Sequence, residues 1–272
     1  MSETRRMRPL LGTFVEIGVD GCEASAQSAI NDAFASIGVI EALMSFQNPD
    51  SEISRLNRYP GEWQPLSRLS LRVLRLARAI GIASQNRFNC TVGGQLVSWG
   101  ALPDHGPTAR VDVGSPLDIE LRSGAARLRR AVRVTLDGIA KGFAVDRAIE
   151  VLQRRGVASG WVNAGGDLRV YGDRALDVSR RGLDGTLEGL GCLRNGAVST
   201  SFVGDYAEPG LPARIVGAVG GKDGAGEMVT VLASSAWRAD ALTKVAGTCA
   251  QGARDQLVAS LGGTMLGLNT AA

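Results

Sequence analysis

Histidine is almost absent from this 272-residue chain, where His105 stands alone. A histidine-based nucleophilic triad or a histidine-built zinc site has nothing to be made from. Aromatic residues are 5% of the total, and 30 basic against 27 acidic residues leave a net charge of +3 with no basic run. A groove that tracks phosphates and stacks bases has no footing in that composition, so no nucleic-acid partner is expected. The four cysteines, Cys22, Cys90, Cys192 and Cys249, form no CxxC pair. They read as free thiols in a reducing compartment. No apolar run of about 18 residues occurs, so no membrane span is expected. The basic start MSETRRMRPLLGTF has no apolar stretch behind it, which makes the cytoplasm the expected location. Lysine is the last scarcity: 27 of the 30 basic residues are arginine, leaving Lys141, Lys222 and Lys244.

What is present describes a globular α/β chain. With 44% apolar and 21% charged residues, it can bury a sizeable core. TFVEIGV at 13–19 alternates so that Val15, Ile17 and Val19 share a face, which predicts a strand. From Ala24 the spacing of Ile30, Ala33, Phe34, Ile37, Ile40 and Met44 changes to a helical one. The polar stretch SFQNPDSEISRLNRYPGEW predicts a loop with a short helix from Ser51, a place for ligand contacts. A second helix is predicted over 67–84, with Leu69, Val73, Leu76, Ala77 and Ile80 inward. Short strands follow between 86 and 138, including VDVG and AVRVTL. A third helix is predicted over 141–155, strands at WVN, LRVYG, ARIVGAV and MVTVLA, and a last helix from Ser235. No repeat or long linker interrupts the chain, so the expectation is one domain over 1–272, a mixed sheet with flanking helices.

Glycines cluster at the ends of these elements, and Gly138 and Gly142 bracket Lys141 in VTLDGIAKGFAVD. Backbone amides at a helix start can hold an anion. The spacing is neither GxxxxGK[ST] nor GxGxxG, so neither a P-loop nor a dinucleotide fingerprint is present. Tight turns explain the glycines equally well.

The order of the segments is more specific than any one of them. LGTFVEI, MSFQNPDSEISRLN, RFNCTVGGQLVSWG, LDGIAKGFAVDRA, VNAGGDLRVYG, VSTS and ADAL resemble, in that order, the motifs of the FAD:protein FMN transferase family, the ApbE-like proteins. The resemblance implies a cleft that holds FAD, with magnesium at its diphosphate. It also implies transfer of FMN to a threonine of a target protein with release of AMP. Lys141 matches the motif lysine and would neutralise phosphate oxygens; a compact ammonium suits that role better than a planar guanidinium. Leu11, Phe46, Phe88, Asn89 and Ile215 fall at flavin-side positions. Ser199, Thr200 and Ser201 match a hydroxyl-bearing motif. Asp240 matches the metal-binding aspartate, and Gly138 supplies a backbone carbonyl to the same metal. The expected cleft is lined by 44–57, 134–142 and 197–201.

Four departures bear on that chemistry. Thr135 stands at an aspartate position, and Asp137, two residues on, would face the same side if the segment is a strand. Lys244 stands where the metal-binding threonine is expected, leaving Thr243 as the nearest hydroxyl. RIVGAVGG from Arg214 lacks the family's histidine and aspartate, and an arginine cannot serve as a base near neutral pH. The export signal and lipid-anchor cysteine of many members are not expected here. A non-catalytic protein that binds FAD or FMN is therefore the alternative to a transferase.

Overall fold

The computed structural model describes residues 3–21, 23–106, 111–204, 215–217 and 226–267. The strand predicted over 13–19 is there as β2 (Thr13–Asp20), and it pairs at once with β1 (Glu3–Leu10). Leu11 and Gly12, at φ 57° and 69°, make the two-residue hairpin turn that joins them. Sequence reading missed β1 because its side chains are mostly polar and exposed. It is the sheet edge, where charge blocks pairing with other chains.

The remaining elements are α1 (Glu23–Met44), α2 (Glu52–Arg58), β3 (Gln64–Pro65), α3 (Arg68–Ala83), α4 (Gly93–Ser98), β4 (Ile119–Arg122), β5 (Ala125–Leu128), α5 (Ala140–Arg154), β6 (Gly160–Ala164), β7 (Asp167–Tyr171), β8 (Leu176–Arg181), β9 (Leu187–Leu193), β10 (Gly196–Val203), β11 (Glu227–Ala233), α6 (Ala236–Gly247), α7 (Gln251–Ser260) and β12 (Gly263–Met265). Seven strands form one sheet in the order β1-β2-β6-β7-β10-β11-β12. Every pair within it is antiparallel. The α/β class with a large sheet and flanking helices is as expected. VDVG and AVRVTL are not strands; they meet only in a single bridge between Val111 and Val132. Of the expected strand ARIVGAV only 215–217 is described, and it is a turn.

Strand alternation sorts the side chains onto two faces. Val15, Ile17, Val162, Ala197 and Val203 pack into the main core with Ile30, Phe34, Phe143 and Leu242 from α1, α5 and α6. Trp161, Leu168, Val170 and Val198 point the other way, under the β8–β9 hairpin. On β7 and β10 this alternation sends Asp167, Ser199 and Ser201 toward the helices, among groups that can hold their polar atoms.

Candidate functional site

The site grows from the contact between α5 and α6. Neither helix has a side-chain cap from its own N-cap residue, Ile139 or Ser235. Each is capped by an aspartate from the other. Asp146 of α5 accepts from the backbone N–H of Ala236 (3.0 Å) and Trp237 (2.9 Å), while Asp240 of α6 accepts from Gly142 N–H (3.1 Å). Orphan amides at both helix starts are thereby satisfied, and each carboxylate meets the positive end of a helix dipole. The crossing is so close that a Cβ on Gly142 would lie 2.3 Å from the carbonyl oxygen of Ala236. Only glycine fits there. The first-turn amide of Gly142 therefore holds the protein's own carboxylate.

Lys141, the second residue of α5, places its Nζ 3.1 Å from Asp167 Oδ2 at the start of β7. Ser199 Oγ donates to the other oxygen of Asp167 at 2.5 Å. The Asp167 carboxylate is the main reason the Lys141 ammonium keeps its proton well above the ordinary lysine range; burial opposes this, and Asp240 and Asp137 add to it. Asp240 is fully buried, and burial followed by the nearby Asp167 charge pushes its carboxyl up, against the pull of Lys244 and Lys141.

Lys244 Nζ lies 2.5 Å from Asp240 Oδ1 and donates to Ser201 Oγ at 3.1 Å. Ser201 and Thr243 hydroxyls are 2.7 Å apart, and Thr243 donates to the Asp240 backbone carbonyl at 2.7 Å. A hydroxyl has one proton, so the directions follow: the ammonium donates to Ser201, Ser201 to Thr243, and Thr243 to the helix. The stem of Lys244 and the ring of Phe88 both lie 3.4 Å from where a Cβ on Gly138 would stand. Among the described residues no three carboxylate, histidine or cysteine side chains are placed to hold a metal ion. Both side-chain oxygens of Asp240 and the hydroxyl of Thr243 are already engaged, so the donor set does not fit a divalent cation, which takes about six oxygens.

Thr135 and Asp137 do face each other, but through a turn rather than strand alternation: Thr135 Oγ1 donates to Asp137 Oδ2 at 2.8 Å. Asp137 is exposed, whereas Asp167 and Asp240 are buried. Asn57 joins this segment to α2 by accepting from Val134 N–H (2.7 Å) and donating to Val134 C=O (2.8 Å). The 134–142 stretch is thus tied to the 44–57 loop on one side and, through Asp167 and Lys244, to Ser199 and Ser201 on the other.

The other expected residues lie further out. Phe46 is buried with Leu96, Val97 and Leu102, and its ring centroid is 5.8 Å from that of His105. Phe88 is the exception: it belongs to the main core, and its ring lies beside Gly138. Asn89 accepts from Thr91 N–H (2.8 Å) in a local turn and donates to Gly114 C=O (2.9 Å), 25 residues on. Leu11 sits in the β1–β2 turn, where its N–H donates to Glu41 (2.9 Å). Ile215 packs near Gly247 at the end of α6, and Arg214 is outside the described residues. Thr200 is not brought to the cluster. It faces the opposite side of the sheet, 3.0 Å from the Thr230 hydroxyl, because neighbours on a strand alternate.

Sequence reading missed Asp167, Asp146 and Asn57 as residues that shape the site. All three stood within quoted motif pieces, NAGGD, AKGFAVD and SEISRLN. The available signal for Asp167 was a carboxylate directly after a glycine pair; Gly165 and Gly166 take φ 63° and 101° and turn β6 into β7.

Comparison with known proteins bears on the family and the fold. Residues 11–265 match the model of the ApbE family. The FAD:protein FMN transferase of Vibrio cholerae is 31% identical over 150 residues, covering 47% of this chain and 42% of the relative. That of Klebsiella pneumoniae is 25% identical over 175 residues, covering 58% and 50%. The chain thus spans about half the length of these curated relatives. Among solved structures, the ApbE protein of Thermotoga maritima superposes with a TM-score of 0.80 at 22% identity, covering 96% of this chain and 93% of that one. The apo flavinyl transferase ApbE of Pseudomonas stutzeri gives 0.77 at 21% identity, covering 94% and 87%. With its motifs in register along almost its whole length and the matching fold, the chain belongs to the ApbE family.

Proposed function

We propose that this chain binds FAD and transfers its FMN half to a hydroxyl of an acceptor protein, releasing AMP. The observation that carries the reading is the convergence on Lys141 of groups from β7, β10, α6 and the 134–142 segment, in a chain of the ApbE family. Asp167, fixed by Ser199, keeps the lysine charged and in place, and its ammonium would stabilise charge building on the phosphoryl oxygens. In the transfer, the acceptor hydroxyl oxygen bonds to the phosphorus of the FMN half. The P–O bond to the AMP half breaks, and AMP leaves with the bridging oxygen. The hydroxyl proton needs a base, and Asp137 is the exposed carboxylate of the cluster.

Asp240 enters as the group that holds Lys244 and the start of α5 rather than as a metal ligand. Leu11, Phe88, Asn89, Thr135, Ser201 and Ile215 belong to the proposal as residues that shape the flavin cleft, with Phe46 backing its loop. Thr200 is left out because of the face it occupies. Magnesium is not part of the mechanism, since the oxygens of Asp240 and Thr243 are engaged and Gly138 lies under Lys244. The buried free thiols of Cys90 and Cys249 support a reducing, cytoplasmic setting.

That engagement of Asp240 and Thr243 favours one second reading, a protein that holds FAD without cleaving it. Incubation with FAD and a threonine-containing acceptor, followed by chromatography for AMP, separates the two. Stoichiometric AMP supports transfer; binding with no AMP supports the second reading. In either case Lys141→Ala should weaken FAD binding about ten- to a hundredfold in a flavin-fluorescence titration, as expected for a lost charge-assisted contact. An unchanged affinity would remove Lys141 from the site.

A further inference from the structure

We propose that the Lys244 ammonium is a built-in replacement for a divalent cation, and that with Lys141 it makes a metal-independent site for a diphosphate. The inference rests on the FAD reading for its ligand, and on this chain's own residues for its geometry.

Three observations point the same way. Lys244 is fixed at both ends: its stem crosses Gly138 beside Phe88, and its Nζ is held by Asp240 and Ser201. An ammonium has three N–H groups, and these two partners use two. With side chains 20% and 35% exposed, Lys244 and Lys141 can each still present charge to a ligand. The side-chain oxygens of Asp240 and Thr243 are turned inward, onto Gly142 N–H, the Lys244 ammonium, the Ser201 hydroxyl and the helix carbonyl. A divalent ion entering here would have to displace an ammonium from a fully buried carboxylate and would be repelled by it on the way. The two lysines also lie among Asp137, Asp167 and Asp240, all of which act on the charge of Lys141 or Asp240. Asp167 and Asp240 hold the ammonium groups in position, so the phosphate oxygens meet positive charge already organised by the fold. Lysine cannot impose octahedral geometry as magnesium does. It supplies a single charge with a flexible reach. That explains why an arginine-rich chain has both of its described lysines in one cluster.

The test has two arms. In the first, apo protein is titrated with Mn²⁺ and followed by electron paramagnetic resonance. The unmodified chain should take up no stoichiometric Mn²⁺, and Lys244→Thr should gain a site. In the second, FAD affinity is measured by flavin fluorescence with EDTA and with millimolar magnesium. The unmodified chain should bind FAD equally in both. Lys244→Thr should lose about tenfold or more in EDTA and recover with magnesium. Lys244→Met, which keeps the stem and loses the charge, should lose as much and recover nothing; it carries the test if the threonine variant does not fold. Stoichiometric Mn²⁺ on the unmodified chain, a tenfold gain in its FAD affinity with magnesium, or full FAD affinity of both variants in EDTA would overturn the proposal. Absence of FAD binding under every condition would instead refute the FAD reading, and the Mn²⁺ arm would still decide the metal question.

Discussion

The α5–α6 corner and the Phe46 side both border the segment that carries Lys141, yet they are held by different forces. At the corner, charged and polar atoms are deeply buried and answer one another across long stretches of sequence, from Gly142 to Asp240 and from Lys141 to Asp167. Around Phe46, a small apolar cluster packs under a loop, and His105 bonds to the Phe46 carbonyl at 2.7 Å. A buried polar network tolerates little change, because any partner left alone keeps its full desolvation cost. An apolar satellite can repack. The chemistry proposed for this chain sits on the unforgiving side, where a rigid placement of charge is available.

The comparison breaks most visibly at Asp240. Asp240→Ala would strand the Gly142 amide and the Lys244 ammonium together, and should cost about 3–5 kcal/mol in urea unfolding, as for a buried pair cut in half. A loss below about 1 kcal/mol would mean that water already reaches the corner. Phe46→Leu should cost far less, under about 1.5 kcal/mol, since it exchanges one apolar filling for another. A larger cost would place Phe46 in the same rigid unit as the corner.

The smallest expected effect is on pH. The folded protein holds the Lys141 proton more tightly than the unfolded chain, chiefly because of Asp167. Stabilisation from that link is therefore complete below the ordinary lysine value of 10.5 and is lost only as pH rises through the higher folded value. The stability difference between the unmodified chain and Lys141→Met should be the same at pH 6 and pH 9. A difference that shrinks between them would mean that the lysine is already losing its proton there, and that Asp167 does not hold it.

Local pattern was enough to read most of the helices. The three- and four-residue spacing of Ile30, Phe34 and Ile37, and that of Val73, Ala77 and Ile80, are properties of short stretches, and α1 and α3 follow from them. Alternation likewise located β2, β6, β7 and β11. It failed for β1, a largely polar edge, and for the β8–β9 hairpin, which lies outside the seven-stranded sheet. It also over-read VDVG, whose Val113 is exposed, and AVRVTL, where Val132, Val134 and Leu136 are buried without a ladder to join. For the candidate site, motif order named Lys141, Asp137, Ser199, Ser201, Asp240 and the departure at Lys244. What each of these atoms bonds to was not legible.

The sequence by itself determined which groups were available: one lysine at a predicted helix start, an aspartate one helical turn before a second lysine, and glycines at the ends of elements. Asp240 and Lys244 are four apart on one helix, so their meeting needed nothing beyond helical geometry. The pairing of Lys141 with Asp167, the support of Asp167 by Ser199, and the exchange of caps between α5 and α6 were decided only by the tertiary structure. Those contacts join residues 26 to 98 positions apart, brought together when the sheet and helices buried their apolar faces. Hydrophobic burial carries no information about which polar atoms will end up in reach of one another. The close α5–α6 crossing at Gly142 supplies it, and so leaves Asp240 holding a lysine and an amide where a metal ion would otherwise need its oxygens.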